Sequence, residues 1–374
     1  MTKRVCLVGP VYPYRGGIAH YTSVLAQTFA VDHDVLVVSF SRLYPSFLFP
    51  GKTQYDESGE PLDVPSERII DSLNPFSFWR AARAIRAFAP DVIVFQWWQP
   101  FFAVAYSAIV SFLGGALRRR VVFLCHNVLP HERSFIDVLL IRLGFTWIGR
   151  FLVQSKEDGD NLRSIKKGAV VRVHPHPIYD TFSKGVYTRR SAREKIDVSG
   201  RVVMFFGLVR PYKGLGVLLD AFAETVERLE ARLLVVGEFY GSKAPYLSQI
   251  ARLGIGSHVR IVDHYVPNEA VEAYFLACDV VVLPYLSATQ SGITQIAFGF
   301  DKPVIVTHVG GLPDVVDDGV TGYVVPPNEP KPLAEAIVTF FDKEMAAPMA
   351  KAIRDTKGRF SWQRCREILI EMVD

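Results

Sequence analysis

Val202-Val203-Met204-Phe205-Phe206-Gly207-Leu208-Val209-Arg210-Pro211-Tyr212-Lys213-Gly214 is the stretch that decides the fold. Its first five residues are apolar, as in a strand buried on both faces. Gly207 ends that run, and Pro211 keeps the chain from continuing as a strand. Apolar residues at helical spacing follow over 215–230, so the segment reads as strand, basic turn and helix. Repetition of that unit builds a parallel sheet covered by helices.

The unit does repeat in both directions. Toward the C-terminus, strands are expected at 233–236, 259–262, 280–284, 304–307 and 322–325, with helices at 246–253, 268–277, 292–300 and 332–341. Toward the N-terminus, strands are expected at 5–8, 35–39, 92–95, 121–124, 151–154 and 170–173, with helices at 19–30 and 76–88. Between the two series, 175–195 holds Pro175 and Pro177 and then a polar stretch without periodicity, as a linker does. The expected fold class is α/β, with two Rossmann-like doubly wound parallel-sheet domains at 1–178 and 179–359. Ligands of such sheets bind beyond the carboxyl ends of the strands.

The chain of 374 residues, 49% hydrophobic and 21% charged, has apolar material for two cores and none of the bias of a disordered protein. Its net charge of +4 is uneven. Residues 1–180 carry 20 Lys+Arg against 15 Asp+Glu (+5), and 181–374 carry 22 against 23 (−1). That excess is too small for a nucleic-acid binder, and basic and aromatic residues do not interleave in a run. It suits an anionic surface or substrate. The four cysteines form no CxxC pair, and Cys6, Cys125 and Cys278 sit in apolar runs, which fits buried free thiols. The opening residues show no secretory pattern, so a cytoplasmic protein is expected. Residues 101–117 are uncharged and precede Arg118-Arg119-Arg120, as beside a membrane span. They are shorter than the usual ~20 residues and lie between two strands, so a buried crossover helix is the expectation. Weak contact with an anionic membrane follows from the three arginines and the +5 balance, making the protein peripheral at the inner face of the membrane.

Four segments carry chemistry. Gly16-Gly17 stand just before a helix, where glycine admits a ligand close to free backbone N–H groups, although the segment is not GxGxxG. Arg210 offers a planar fork and Lys213 a mobile charge before another helix, a receptor for a diphosphate more than an ordinary solvated turn. Thr289-Gln290-Ser291-Gly292-Ile293-Thr294-Gln295 again place small polar groups at a helix start, suited to phosphate or sugar oxygens. His126, in Cys125-His126-Asn127, follows a parallel strand and so stands at the ligand edge of its sheet. Asp32-His33-Asp34 matches DxD but precedes a strand, away from that edge, and His174-Pro175-His176 lacks a third ligand, so no metal is expected. Trp97-Trp98 can stack on an acceptor or pack in the core.

The spacing of Gly16-Gly17, His126, Gly207 with Arg210 and Lys213, Gly237, and Pro303 through Gly310-Gly311 resembles the retaining glycosyltransferases of family 4 (glycosyl transferases group 1) over nearly the whole chain. The resemblance implies a GT-B fold, two domains facing across a cleft, with a C-terminal helix about 360–374 crossing back to the first domain. It implies transfer of a sugar from a nucleotide-diphosphate sugar, UDP- or GDP-type, to a glycan, lipid-linked or small-molecule acceptor, without metal or other cofactor. By position, Gly16 and Gly17 match the loop beside the donor phosphates, His126 the histidine near the transferred sugar, and Arg210 and Lys213 the pair that neutralises the diphosphate. His264, Tyr265 and Val266 match the segment that meets the base, and Ser291, Gly292 and Ile293 the loop around sugar and β-phosphate. Family members usually carry two glutamates here, where this chain has Thr289 and Ile296 flanked by Gln290 and Gln295. Amides bond hydroxyls but bring no negative charge. Two other functions fit the same residues: a GT-B nucleotide-sugar epimerase, and a non-catalytic nucleotide-sugar-binding module.

Overall fold

The computed structural model describes residues 2–45, 53–130 and 134–374. The chain divides into two compact units: Met1–Glu57, Pro61–Pro175 and Phe360–Asp374 make the first, and Ser58–Glu60 with His176–Arg359 the second. The division thus falls at 175/176 rather than 178/179, and the last residues belong to the first unit.

In chain order the first unit has β1 (Arg4–Val8), α1 (Gly17–Ala30), β2 (Asp34–Arg42), β3 (Glu67–Asp71), α2 (Pro75–Phe88), β4 (Val92–Trp97), α3 (Ala103–Leu113), α4 (Gly115–Arg118), β5 (Val121–Cys125), α5 (Phe135–Gly144), β6 (Arg150–Val153), α6 (Lys156–Ile165) and β7 (Val170–Val173). Its sheet runs β3-β2-β1-β4-β5-β6-β7, every pair parallel. Alternation along each strand splits the core. Val5, Leu7, Val122 and Leu124 face a cluster with Tyr21, Phe29 and the C-terminal residues Cys365 and Leu369. Cys6, Val8, Phe95 and Phe123 face Phe78, Tyr106, Ile109 and Ile141 from α2, α3 and α5. Fully buried strands covered on both faces explain why those runs read as strands without alternation.

The second unit has α7 (Arg189–Ile196), β8 (Val202–Phe206), α8 (Leu215–Val226), β9 (Arg232–Val236), α9 (Ala244–Leu253), β10 (Val259–Val262), α10 (Asn268–Ala277), β11 (Val280–Leu283), α11 (Gly292–Gly299), β12 (Val304–Thr307), α12 (Leu312–Val315), β13 (Gly322–Val325), α13 (Pro330–Asp342) and α14 (Ala346–Thr356). Its parallel sheet runs β10-β9-β8-β11-β12-β13. The last helix, α15 (Trp362–Glu371), packs on α1 in the first unit, with Trp362 4.7 Å from the Tyr21 ring.

Several elements differ from expectation for local reasons. The stretch 101–117 is broken at Gly114, whose φ of 81° ends α3 after 11 residues. Among the described residues no helix is long and apolar enough to cross a membrane. The linker region contains α7, held by a Thr188–Ser191 capping box and by Arg189 and Arg193 on Asp279, contacts invisible to apolar periodicity. Edge strand β3 was not expected because only Ile70 of its five residues is buried. All four cysteines are buried and free, and burial pushes the Cys278 and Cys365 thiols up to about 12.

Candidate functional site

In the second unit the strand order reverses between β8 and β11, and the chain segments leaving those two strands carry most of the predicted residues. Gly207 leaves β8 with φ 108°, and an ideal Cβ there meets Lys213 Nζ at 3.3 Å and Ile293 Cδ1 at 3.5 Å. Lys213 and Ile293 therefore lie over the Gly207 backbone. Gly237, leaving β9 with φ 144°, lies against the Gly207 carbonyl, which a Cβ would approach to 2.1 Å. Gly214, at the start of α8 with φ 70°, is pressed on the Pro284 carbonyl in the same way, at 1.9 Å. Three strand ends are thus packed backbone to backbone, and only glycine fits.

Two cations stand on this platform. The Arg210 guanidinium lies 4.0 Å from the centroid of the Tyr240 ring, and Lys213 Nζ 5.4 Å from that of Tyr285. Among the described residues neither has a carboxylate within ion-pair range. Burial, the largest cause, holds the Lys213 ammonium below the usual lysine range, and the Arg210 charge adds to it. An ammonium that is partly desolvated and lacks a counter-ion is poised to gain from an arriving anion.

The loop after β11 completes this edge. The Tyr285 and Ser291 hydroxyls share a hydrogen bond of 3.2 Å, and burial pushes the Tyr285 phenol up to about 12. The Leu286 N–H donates to the Tyr212 carbonyl (2.7 Å), tying the loop to the basic turn. Gly311 N–H donates to the Thr289 carbonyl (2.8 Å), and a Cβ at Gly310 would stand 1.7 Å from the Ala288 carbonyl. Ser291 is the N-cap of α11, and Gly292 is its first residue. Gln290 Oε1, Thr294 Oγ1 and Gln295 Oε1 are buried with no partner, and Ile296 is buried. His264, Tyr265 and Val266 follow β10 at the same carboxyl edge, exposed, half-buried and buried respectively.

In the first unit Gly16 caps α1 with φ 104°, and an added Cβ at Gly16 or Gly17 meets nothing within 4 Å. His126 follows β5, is buried, packs edge-on against Tyr21 at 4.6 Å, and shares a 2.7 Å hydrogen bond with Gln96 Oε1. Gln96, at the end of β4, was not anticipated: it reads as one polar residue in an apolar strand. Gly9 makes room for it, since a Cβ there would come within 2.6 Å of Gln96 Cγ. Register carries the row on to Gln154 after β6 and His174 after β7, both buried with side-chain atoms lacking partners. Burial lowers the His174 pKa.

The remaining candidates fall elsewhere. Asp32 pairs with Arg366 at 2.6 Å, at the amino end of β2. His174 belongs to the first unit and His176 to the second. Trp97 is fully buried against Phe123 and Phe145, while Trp98 donates to the Tyr44 hydroxyl (3.0 Å). Among the described residues no three His, Cys, Asp or Glu side chains group as a metal site.

Two family models match: "Glycosyltransferase Family 4" over residues 15–196 and "Glycosyl transferases group 1" over 200–343. Among curated relatives, the D-inositol 3-phosphate glycosyltransferase of Corynebacterium efficiens is 30% identical over 213 residues, 55% of this chain and 49% of that protein. The Corynebacterium glutamicum enzyme of that name is 32% identical over 183 residues, 47% of this chain and 44% of that one. The chain spans about half the length of these relatives. Anabaena HepE, solved with UDP, has a TM-score of 0.75 at 19% identity, covering 99% of both chains. Sucrose-phosphate synthase from Thermosynechococcus elongatus scores 0.73 at 19% identity, covering 98% of this chain and 97% of that one. At such identities the likeness is one of fold: two parallel-sheet units of the GT-B type.

Proposed function

The chain belongs to the GT-B glycosyltransferases of group 1, and from that premise we propose that it moves a hexose-type sugar from a UDP- or GDP-type nucleotide sugar to an acceptor hydroxyl, with retention. The observation that carries this reading is the pair Arg210 and Lys213: Lys213 stands over Gly207 and Arg210 over the Tyr240 ring, neither with a counter-anion among the described residues. Departure of a nucleoside diphosphate concentrates negative charge on its phosphate oxygens. A guanidinium fork, a partly desolvated ammonium and the backbone N–H groups at the start of α11 are the groups that stabilise such charge. Structures of the Anabaena relative with UDP and with UDP-glucose favour a nucleotide sugar over other diphosphates.

The remaining assignments follow the same logic. His264, Tyr265 and Val266 take the base, and Ser291, Gly292 and Ile293 the sugar and β-phosphate. Gln290, Gln295 and Thr289 bond sugar or ribose hydroxyls as neutral groups. His126, fixed by Gln96, is assigned to the transferred sugar, and Gly16-Gly17 leave room for the phosphates. The departing phosphate oxygen takes the acceptor proton, so no protein base is assigned. The transfer proceeds without metal, Arg210 and Lys213 carrying the charge. The acceptor is a glycan, a lipid-linked sugar or a small molecule, as in polysaccharide, glycolipid or glycoside synthesis.

The test is nucleoside diphosphate release from a panel of sugar nucleotides, with and without glycan and lipid-linked acceptors, in EDTA. Acceptor-dependent release with a new glycoside is the expected result. Sugar isomerisation without acceptor would establish an epimerase instead. Tight donor binding with no release on any acceptor would establish a binding module, and turnover only with added Mg²⁺ or Mn²⁺ would overturn the metal-free route.

A further inference from the structure

One face of the first unit is formed by α2, α3 and α5, which cover the same side of the sheet with α3 in the middle. Their inner residues fill the core, as Phe78, Ile85, Tyr106 and Ile141 do. Their outer residues are unusually apolar. On α5, Phe135, Leu139 and Leu143 recur every fourth residue and are 86%, 60% and 42% exposed, with Ile136 beside them at 65%. Trp147 extends this stripe, and the outer side of α2 adds Phe76 and Trp79, their rings stacked at 5.5 Å. Ordinary soluble surfaces scatter such residues singly, whereas here they share adjoining helices.

The charges within these segments are almost all of one sign, with Arg120 3.6 Å from Asp91 just beyond them. Residues 72–90, 98–120 and 134–150, which contain these helices, hold eight arginines and one acid, Asp137, a balance of 8 − 1 = +7. Asp137 is occupied in the capping box with Ser134. Arg80, Arg83, Arg86, Arg119 and Arg142 are exposed. Arg83 lies 5.7 Å from the Trp79 ring and Arg118 4.6 Å from that of Trp147, so cations stand directly beside exposed indoles.

We propose that this α2–α3–α5 face docks the protein on an anionic lipid bilayer, with the α5 side chains and Trp147 in the headgroup–acyl boundary and the arginines on lipid phosphates. Aromatic and aliphatic groups ringed by arginine are the chemistry of an interfacial helix. The apolar stretch 101–117, read from the sequence as a buried crossover helix, is mainly core, so the lipid-facing groups proposed here come chiefly from α2, α5 and Trp147. The inference stands apart from the transfer reaction, since it uses none of the donor-site residues.

The test is co-sedimentation of the whole chain with vesicles of phosphatidylcholine alone or with phosphatidylglycerol. Binding is expected on the anionic vesicles only, weakening with salt. Leu139→Ser with Trp147→Ser is expected to weaken it at least tenfold, and Arg83→Glu or Arg142→Glu by about fivefold or more each. These positions are exposed, so an unchanged melting temperature verifies that each variant folds. No binding to anionic vesicles at low salt overturns the proposal, and so does binding that the folded variants retain. A dimer that sediments as such and is lost in Leu139→Ser, or RNA binding in place of vesicle binding, overturns it in favour of that partner.

Discussion

The carboxyl edges of the two sheets are built on opposite plans. In the second unit, backbone meets backbone at Gly207, Gly214, Gly237 and Gly310, and the groups held above are cations without counter-ions among the described residues. In the first, Gly16 and Gly17 face open space, and Gln96, His126, Gln154 and His174 form a row of amides and imidazoles. Asp158, which accepts from the N–H of Val128 two residues beyond His126, is pushed up to about 6 by burial. In the proposed reaction the positive edge takes the diphosphate common to nucleotide-sugar donors, and the edge of amides and imidazoles takes hydroxyl-bearing groups.

The sharpest way to break that comparison is to add one methyl to each edge. Gly214→Ala and Gly310→Ala drive a Cβ to within 1.9 and 1.7 Å of a backbone carbonyl at positive φ, so each is expected to lower stability by roughly 3–4 kcal/mol. Gly17→Ala meets nothing within 4 Å and is expected to leave stability within about 0.5 kcal/mol, while reducing activity under the proposed assignment of that space to the donor phosphates. Urea unfolding and turnover on all three decide it. Equal losses of stability at the two edges would erase the distinction.

Charge gives the next largest effect. Arg210→Ala and Lys213→Ala should each lower kcat/KM for the donor by about 1.5–3 kcal/mol, the scale of a charged hydrogen bond. Lys213 also predicts a pH response. Its pKa in the free protein is lowered by burial, and a bound diphosphate favours the charged form, so binding above that pKa takes up a proton. Donor affinity should therefore fall as pH rises through a range below that of an ordinary lysine, and Lys213→Arg should flatten the fall. Wild-type donor kinetics in both alanine variants would remove the diphosphate assignment.

What the sequence revealed follows from this difference. The second edge was legible because Gly207, Arg210, Lys213 and Gly214 lie within eight consecutive residues and their chemistry is local. The first edge was legible only at Gly16-Gly17 and His126. Gln96 reaches His126 from the neighbouring strand, and Gln154 and His174 follow two further strands in register, an alignment that one sequence does not disclose. Helices α6 and α7 escaped for another reason: capping and ion pairs hold them, with few buried apolar residues to set a period.

Asp158 offers a subtler contrast within the first unit. It accepts from the Val128 N–H (3.1 Å), while burial raises its pKa from the usual 3.8 to about 6. Between those values the native state binds the proton more tightly than the unfolded chain. Stability should therefore be fullest below about pH 4 for this group and decline as pH rises through about 6, by about 1–3 kcal/mol. Asp158→Asn keeps the acceptor and should remove that slope, which thermal melting from pH 4 to 7 would reveal. A slope unchanged in the variant would place its origin elsewhere.

The smallest effect concerns the loop where family members usually carry two glutamates. Gln290 and Gln295 bring their amide oxygens there, buried and without partners, while Ile296 is apolar and buried. A neutral hydrogen bond in place of a charge-assisted one costs on the order of 1 kcal/mol, so the chain should still turn over its donor. Gln295→Leu removes the remaining acceptor and should lower kcat/KM by about that amount, provided the amide meets a hydroxyl. The two possible restorations should then part company. Thr289 is half-buried, so Thr289→Glu can place its charge without full desolvation. Ile296→Glu sets a carboxylate at a site only 8% exposed, and should destabilise the second unit without raising activity. A folded Ile296→Glu variant with faster donor turnover would mean that this loop accepts charge after all, and that the cations at Arg210 and Lys213 govern less of the site than their isolation implies.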